Sequence, residues 1–228
     1  MGLRAIYNGV IRFNNVRVPV ENLILAPGKG MRVALNALSV GRLTLPAACA
    51  GLVRESLRIT REWTTERRQW GCEIGKHEAI AAKVADMAAD AFALEAMVTL
   101  TSNLVDEKSD YRLESALCKL WGTETAWRVV DDLMQIRGGR GYETAQSLAA
   151  RGERPEPVER FMRDSRINRI FEGSSEIMRL YLAREALDPH LRLAGPAMDT
   201  RLSAGKRLLA AAKAGLHYVG WYPGLHLP

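Results

Sequence analysis

The chain has 228 residues, of which 47% are hydrophobic and 25% are charged, a balance typical of a globular protein with one substantial core. Its formal net charge of +6 would suit an anionic partner, but acids and bases are interspersed and no nucleic-acid-reading motif occurs, so we expect no nucleic-acid role. The three cysteines lack the spacing of a zinc site or a disulfide framework, so we predict no metal site, reduced thiols, and a cytoplasmic or mitochondrial-matrix-like protein that is not secreted.

The first predicted elements are β-strands, within residues 6–20. This stretch alternates loosely, and Asn14-Asn15 interrupts it as a turn would, so we predict a hairpin or two strands. Because a two-stranded piece is barely stable alone, we interpret residues 1–26 as the end of a β-domain whose other strands are missing, and we expect the chain to begin inside a larger protein. The strand-favouring residues are Val10, Ile11, Phe13, Val16 and Val18.

Three long helices are predicted next. The first extends from about residue 31 to residue 68, and Pro46 should kink or divide it. The next two carry apolar residues at helical spacing. These residues are Ile80, Val84, Met87, Ala91, Leu94 and Val98 in the second helix, and Leu113, Leu117, Leu120, Trp127, Val130 and Met134 in the third.

A short helix near residues 158–170 precedes the last long helix of the bundle. We expect this last helix to end at about Leu187, because Asp188-Pro189 follows it. The pattern predicts a mainly α protein, in which residues 27–189 form an up-down four-helix bundle and a short β remnant lies at the N-terminus.

Residues 190–228 form a basic C-terminal extension that is also predicted to be helical. We favour a terminal helix that docks on its own bundle, and the alternative is an amphipathic helix for a partner or a membrane surface. We expect no apolar run long enough to span a bilayer. The apolar and aromatic residues of the extension include Leu202, Leu208, Leu209, Leu216, Tyr218 and Trp221.

The first candidate motif is Gln135–Tyr142, which contains three glycines. Glycines of this kind allow the backbone to approach a ligand closely. The motif is not a dinucleotide fingerprint, because it follows a predicted helix and Thr144 stands where the third glycine would be. Taken alone, it is more typical of a helix C-cap and turn.

The second candidate motif is Phe171–Glu176, in which Glu172 precedes a predicted helix N-terminus. A carboxylic acid in such a loop can act as a base if an apolar pocket raises its pKa, whereas the helix dipole has the opposite effect. Local chemistry alone favours the alternative, in which Ser174 or Ser175 is an N-cap and Glu172 is its solvated neighbour.

The third candidate motif is Glu66–Gly71, with His77 a few residues later. Cationic and aromatic side chains around a glycine can hold a phosphate and stack on a ring. The commoner explanation of such a sequence is the basic last turn of a helix.

Together these motifs resemble the signatures of the acyl-CoA dehydrogenase family, in the same order and at the same separations, from the first residue to about Leu187. In this resemblance, residues 1–26 match the close of the middle β-domain, residues 27–189 match the C-terminal four-helix bundle, and residues 190–228 are a C-terminal extension. The matching signatures are Val40-Gly41-Arg42, Arg67-x-Gln69-Trp70-Gly71, Gln135-Ile-x-Gly138-Gly139-x-Gly141-Tyr142, and Arg163-Asp164 with Glu172-Gly173-Ser174-Ser175.

The resemblance implies a flavoprotein of lipid metabolism and fatty-acid β-oxidation, an FAD-dependent dehydrogenase that converts a fatty acyl-CoA to the trans-2-enoyl-CoA. It also implies electron-transferring flavoprotein as the acceptor, and a homodimer or homotetramer. Glu172 matches the catalytic base, and Gly41 stands where some members place that base instead. The resemblance further implies that Arg42 and Gly173 bind substrate, and that Arg67, Gln69, Trp70, Gln135, Gly138, Gly139, Ser174 and Glu176 bind FAD, the first three in a neighbouring subunit.

Some positions depart from the family pattern. Glu78 stands where members usually have glutamine, and Ser39 stands where many have an acid. Family members are also much longer, and their N-terminal helical domain and most of the β-domain have no counterpart here. An alternative function is therefore a non-catalytic helical oligomerisation module that lacks bound flavin.

Overall fold

The computed structural model describes residues 2–3 and 9–225. The fold of these residues is mainly helical, which confirms the predicted class. Their only paired strands are β1 (Arg68–Gln69) and β2 (Cys72–Glu73), which form an antiparallel hairpin. The described residues contain eight α-helices: α1 (Gly30–Glu66), α2 (Glu78–Asp106), α3 (Arg112–Arg137), α4 (Gly139–Tyr142), α5 (Ala145–Ala150), α6 (Val158–Ser165), α7 (Ser175–Met198) and α8 (Ala204–Gly224).

The chain divides after Met178 into two compact units. In the first unit, α1, α2 and α3 pack against one another. Helices α1 and α2 are antiparallel, since Thr60 Oγ1 lies 3.8 Å from Met87 Sδ while Arg54, earlier on α1, pairs with Glu95, later on α2. The short connections between successive helices favour this up-down arrangement.

Helices α2 and α3 are antiparallel as well. Lys83, near the start of α2, pairs with Asp132, and Asp90, about two turns later, pairs with Arg128 at 2.7 Å. The core between the three helices is apolar and well buried, which stabilises the arrangement by removing apolar surface from water. Its fully buried members include Cys49, Val53, Ile59, Met87, Leu94, Ala126, Val129 and Leu133.

Gly122 lies where α3 approaches both of the other helices closely. A Cβ atom at this position would lie 2.8 Å from Leu94 Cδ1 on α2 and 3.4 Å from Pro46 Cβ on α1. A side chain at position 122 would force Leu94 to move, so the glycine lets α3 lie close to both helices at this level.

The apolar stripe predicted for α2 is largely confirmed, since Met87 and Leu94 are buried. The stripe predicted for α3 is partly wrong, because Leu113 and Leu117 are 41% and 48% exposed. Small and polar residues face the core in their place, because the first half of α3 packs too closely on its neighbours for leucine side chains. The buried residues of this half include Ser115, Ala116, Cys118, Lys119 and Thr123.

One predicted helix boundary is wrong, because α7 continues past Asp188-Pro189 to Met198. Helix α1 is continuous through Pro46, so that proline does not divide it. A proline removes one backbone N–H donor, and at the exposed Pro189 water can satisfy the carbonyl that loses its partner.

The predicted strands near the N-terminus are also wrong where they can be examined. Residues 6–8 lie outside the described residues, and residues 9–19 adopt no regular strand. A two-stranded piece without the rest of its sheet gains too little burial to persist. Accordingly, the apolar side chains of this stretch are exposed, among them Val10, Ile11, Phe13, Val16 and Val18.

Helix α1 is long and apolar enough to cross a membrane by length and composition alone, so the prediction that no apolar run is long enough to span a bilayer is wrong. A core helix of a soluble protein meets the same two criteria. Only 11% of the apolar stretch of α1 is buried, although Cys49, Val53 and Ile59 on the same helix lie in the core.

The second unit contains most of α7, from Arg179 onward, and the whole of α8. The His190 side chain on α7 lies 2.8 Å from the Tyr218 hydroxyl on α8, and Trp221 packs edge-on against the same histidine. Arg207 donates a hydrogen bond to the Ala197 carbonyl at 3.2 Å. The C-terminal extension is therefore helical over α8 and is held to the end of α7 by an aromatic cluster.

Candidate functional site

The hairpin that follows α1 presents Trp70 to solvent. Trp70 and Gly71 are the two central residues of the turn, with φ of 48° and 85°, which is the backbone twist that a two-residue hairpin favours. This conformation suits glycine but strains a residue with a Cβ such as Trp70. The indole is 89% exposed, so the strained turn holds an aromatic ring outward.

Trp63 joins the end of α1 to the end of α3. Its Nε1 donates a hydrogen bond to the Ile136 carbonyl at 3.2 Å. This contact brings together two of the sequence motifs, which are about 70 residues apart in the chain. Both motifs line one cavity of about 400 Å³, to which they contribute Arg67, Gln69, Trp70, Gly138 and Gly139.

Gln135 is not among the lining residues of this cavity. Its carbonyl instead accepts a hydrogen bond from the Gly138 N–H at 3.1 Å, where α3 ends. Gly138 has a φ of 57°, a conformation that glycine adopts at little cost. The three-glycine motif is therefore a helix end and turn, as its local chemistry predicted, and it also forms one wall of the cavity.

Arg137 gives the cavity a buried positive charge that the sequence analysis missed. Its guanidinium lies 4.7 Å from the centroid of the Trp63 ring, and its Nε has no hydrogen-bond partner among the described residues. Burial lowers the pKa of Arg137, and the carboxylates of Glu156 and Glu153 oppose this effect, so the side chain remains cationic. The only sequence signal was an arginine in the last helical position before a glycine pair.

These features define the ligand chemistry that the cavity can accept. Arg67, Arg137 and Arg140 line it together with two tryptophans. Guanidinium groups suit phosphate, and tryptophan faces suit planar rings. The residues present therefore fit an anionic ligand that carries an aromatic ring, as FAD does.

A second group of predicted residues surrounds the loop before α7. Glu172 and Gly173 have φ of 56° and 94°, and this loop directs the Glu172 carboxylate toward Gly41 on α1. A Cβ atom at position 41 would lie 3.1 Å from Glu172 Oε2. The Oε2 atom is buried and has no hydrogen-bond partner among the described residues.

Lys119 on α3 contacts the loop that carries Glu172, and it was not identified from the sequence. The side chain is fully buried, and its Nζ donates a hydrogen bond to the Gly173 carbonyl at 2.6 Å. Burial lowers the pKa of Lys119; nearby Arg42 also lowers it, while Cys49, Glu124 and Glu172 raise it. The available signal was a lysine that lies between Leu117 and Leu120 of the predicted apolar stripe.

Ser174 and Glu176 lie at the start of α7. The Ser174 hydroxyl accepts a long hydrogen bond of 3.5 Å from the Ile177 N–H, which is the N-cap contact that the alternative interpretation predicted. The Glu172 carboxylate is nevertheless not fully solvated, because its Oε2 atom is buried. Glu176 is exposed in the first helical turn, and Gly173 packs against Met178 so closely that a Cβ would lie 2.6 Å from its methyl carbon.

The cavity that contains Arg67 and the loop that carries Glu172 are far apart. Gly41 and Arg67 are separated by 26 residues along α1 and its C-terminal cap, roughly 39 Å of helix. In one chain, a single dinucleotide cannot reach both groups. Within the described residues, no three histidines, cysteines or acids are placed to hold a metal ion.

Comparison with known proteins gives a consistent family. The family model for the acyl-CoA dehydrogenase C-terminal domain matches residues 28–187. The probable acyl-CoA dehydrogenase FadE10 of Mycobacterium tuberculosis is 54% identical over 99% of this chain and 35% of its own length. The human mitochondrial very long-chain specific acyl-CoA dehydrogenase is 34% identical over 94% of this chain and 32% of its own length.

Solved structures show the same likeness. Butyryl-CoA dehydrogenase from Megasphaera elsdenii superimposes with a TM-score of 0.70 at 30% identity, over 77% of this chain and 43% of that one. A glutaryl-coenzyme A dehydrogenase in complex with glutaryl-CoA superimposes with a TM-score of 0.69 at 29% identity, over 77% of this chain and 42% of that one. The chain spans about a third of the length of the curated relatives it matches.

Proposed function

The chain belongs to the acyl-CoA dehydrogenase family, where it corresponds to the C-terminal domain, and on this premise we propose that it forms part of an FAD-dependent fatty acyl-CoA dehydrogenase. The observation that carries the proposal is the environment of Glu172. Its Oε2 atom is buried and has no hydrogen-bond partner among the described residues. An unsatisfied carboxylate oxygen in an enclosed place is a group prepared to accept a proton.

Glu172 would remove the α-proton of the bound acyl thioester. The α-C–H group is only weakly acidic, so the step requires an accurately placed base and stabilisation of the charge that develops on the thioester oxygen. The backbone N–H of Glu172 would donate a hydrogen bond to that oxygen. Gly41 supports this role by leaving room for the carboxylate, and the bound flavin supplies the acceptor for the β-hydrogen, which leaves as a hydride.

The cavity at the other end of α1 would hold the phosphates and adenine of FAD. Arg67, Arg137 and Trp70 provide charge and ring surface there, and Gly138-Gly139 allows close approach of the backbone. Because roughly 39 Å of helix separates this cavity from Glu172, the FAD held here would serve the Glu172 of another subunit. We therefore include a homodimer or homotetramer in the proposal, with electron-transferring flavoprotein as the acceptor of the electrons.

The test is the visible absorption of flavin in the protein that carries this chain, before and after anaerobic addition of a fatty acyl-CoA. We expect bound FAD, and bleaching on addition of substrate. Glu172→Gln should retain the flavin and lose the bleaching, because the amide cannot accept the α-proton. Glu107→Gln, at an exposed position just after α2, is the matched control and should bleach like the parent.

Bleaching of Glu172→Gln at the parent's rate would contradict the assignment of the base. A folded, oligomeric protein that binds no FAD would favour the second candidate function, the non-catalytic helical oligomerisation module.

A further inference from the structure

Lys119 is an unusual residue for the interior of a helical bundle. It is fully buried, and no other lysine among the described residues is buried. Removing an ammonium group from water is costly unless the protein replaces its hydration. A buried lysine in the middle of α3 therefore requires a reason that general packing does not provide.

The partner of Lys119 is the loop that carries Glu172. Nζ donates a hydrogen bond to the Gly173 carbonyl at 2.6 Å, a short contact for a charged N–H donor. The acceptor is 54 residues away in sequence. The bond holds the Gly173–Ser174 peptide, one residue beyond Glu172, and so restrains the loop from which the Glu172 side chain extends.

The loop needs such a restraint. Glu172 and Gly173 are both in the left-handed region, which is unfavourable for a residue with a Cβ such as Glu172 and persists only where the surroundings hold it. Ser174 gives only a long N-cap contact of 3.5 Å. Lys119 gives the short, charged contact.

The charged and titratable groups around Lys119 come from three segments. Cys49 and Arg42 lie on α1, Glu124 lies one turn later on α3, and Glu172 lies in the loop. Cys49 is a buried neutral thiol, since burial raises its pKa to about 11. The hydrogen-bond partner of Lys119 is nevertheless a backbone carbonyl, so its contact acts on the shape of the loop.

We propose that Lys119 is a positioning residue for the catalytic base: its ammonium holds the Gly173 carbonyl, and this contact keeps the Glu172 carboxylate directed into the space that Gly41 leaves open. The inference rests on the proposed function of Glu172. It assigns Lys119 no contact with substrate or flavin.

The test compares Lys119→Met, which removes the donor, with Lys119→Gln, which keeps a shorter neutral donor, in the flavin-loaded protein. A misplaced base should lower kcat by about 10- to 100-fold and leave KM and flavin content close to the parent's. We expect the loss to be smaller in Lys119→Gln. With substrate deuterated at the α-carbon, the isotope effect on kcat should increase in both variants, because proton removal becomes the slow step.

The control is Lys108→Met, at an exposed loop position between α2 and α3, which should behave like the parent. Parent-like kcat and isotope effect in Lys119→Met would overturn the proposal. So would a fall in activity that only follows a loss of folded, flavin-loaded protein in both variants, since that result would make the role of Lys119 purely structural.

The same experiment separates this inference from the proposed function. Turnover by Glu172→Gln would remove the proposed base itself. An inactive Glu172→Gln together with fully active Lys119 variants would remove only the role of Lys119.

Discussion

At the scale of single residues, Gly41 matters to Glu172 because it has no side chain to compete for the space of the carboxylate. The carboxylate of Glu172 fills the volume beside Gly41, where a Cβ would lie 3.1 Å from both its Cδ and its Oε2 atoms. Such a distance is closer than ordinary van der Waals contact, so one of the two groups would have to move.

Gly41→Ala should therefore displace the Glu172 carboxylate. We expect kcat to fall by about tenfold or more, with the protein folded and flavin bound. The matched control is Gly51→Ala on the same helix, where an added Cβ meets nothing within 4 Å. It should leave kcat unchanged and raise the free energy of unfolding by about 0.8–1.0 kcal/mol. An unchanged kcat in Gly41→Ala would show that the carboxylate does not act from this position.

Two buried cysteines predict how stability depends on pH. Burial raises the pKa of Cys49 and of Cys118 from 9.0 to about 11. The folded state thus favours the neutral thiols, and this contribution is complete below pH 9 and is lost as pH rises to about 11. Urea titrations should show a free energy of unfolding that decreases over this window. In Cys49→Ala/Cys118→Ala the decrease should be smaller, and an equal decrease would contradict the prediction.

At the scale of elements, the hairpin after α1 exposes the Trp70 ring although the backbone conformation at this residue is unfavourable. Trp70 occupies the first left-handed position of the turn and is almost fully exposed. Asparagine is the residue that this position usually favours. A tryptophan here is easier to explain by a ligand than by the stability of the hairpin.

Trp70→Asn should separate the two effects. Relief of the left-handed strain should raise the free energy of unfolding by about 1 kcal/mol, while loss of the ring should weaken FAD binding about tenfold, equivalent to ~1.4 kcal/mol. Trp70→Phe keeps a ring and should bind FAD more tightly than Trp70→Asn. Equal FAD affinity in all three proteins, measured by flavin fluorescence, would argue against a contact between Trp70 and the cofactor.

The elements also show which parts of the structure local patterns can predict. Helix α2 buries its predicted stripe because its core-facing residues are large and regularly spaced, with Met87 and Leu94 fully buried. Helix α3 does not, because the tight approach at Gly122 depends on residues of α1 and α2 and leaves Leu113 and Leu117 outside. The spacing of apolar residues within one helix cannot predict how closely another helix will approach it.

The candidate site divides in the same way. Glu172 and Trp70 were predicted because they lie inside recognisable motifs. Arg137 was missed because it stands at a position that the signature leaves unspecified, and Lys119 was missed because its contact is to a carbonyl 54 residues away. A sequence pattern indicates residues that chemistry requires directly, whereas supporting residues become visible only when the chain is folded.

At the scale of the whole molecule, the two halves of the candidate site lie toward opposite ends of α1. The cavity with Arg67 is roughly 39 Å of helix from Gly41. Under the proposed function, a chain arranged in this way would complete its site by pairing with another copy, and symmetric pairing would complete two sites at once.

Mixed oligomers test this arrangement. Glu172→Gln chains and Arg67→Ala/Trp70→Ala chains should each be inactive alone when FAD is limiting. Co-expressed and paired at random as dimers, they should recover about a quarter of the parent activity, because each mixed dimer contains one site with both parts intact. No recovery, in pools shown by mass to contain mixed dimers, would mean that each site is built within one chain.

The geometry at Gly41 also limits the routes by which such a protein can evolve. A side chain at position 41 and the carboxylate of residue 172 would occupy the same small volume. Suppose that a lineage moved the base from position 172 to position 41. An intermediate with an acid at both positions would be crowded, because the two side chains would compete for this volume. The two replacements would have to occur almost together, so the location of the base should change rarely and should divide relatives into separate branches.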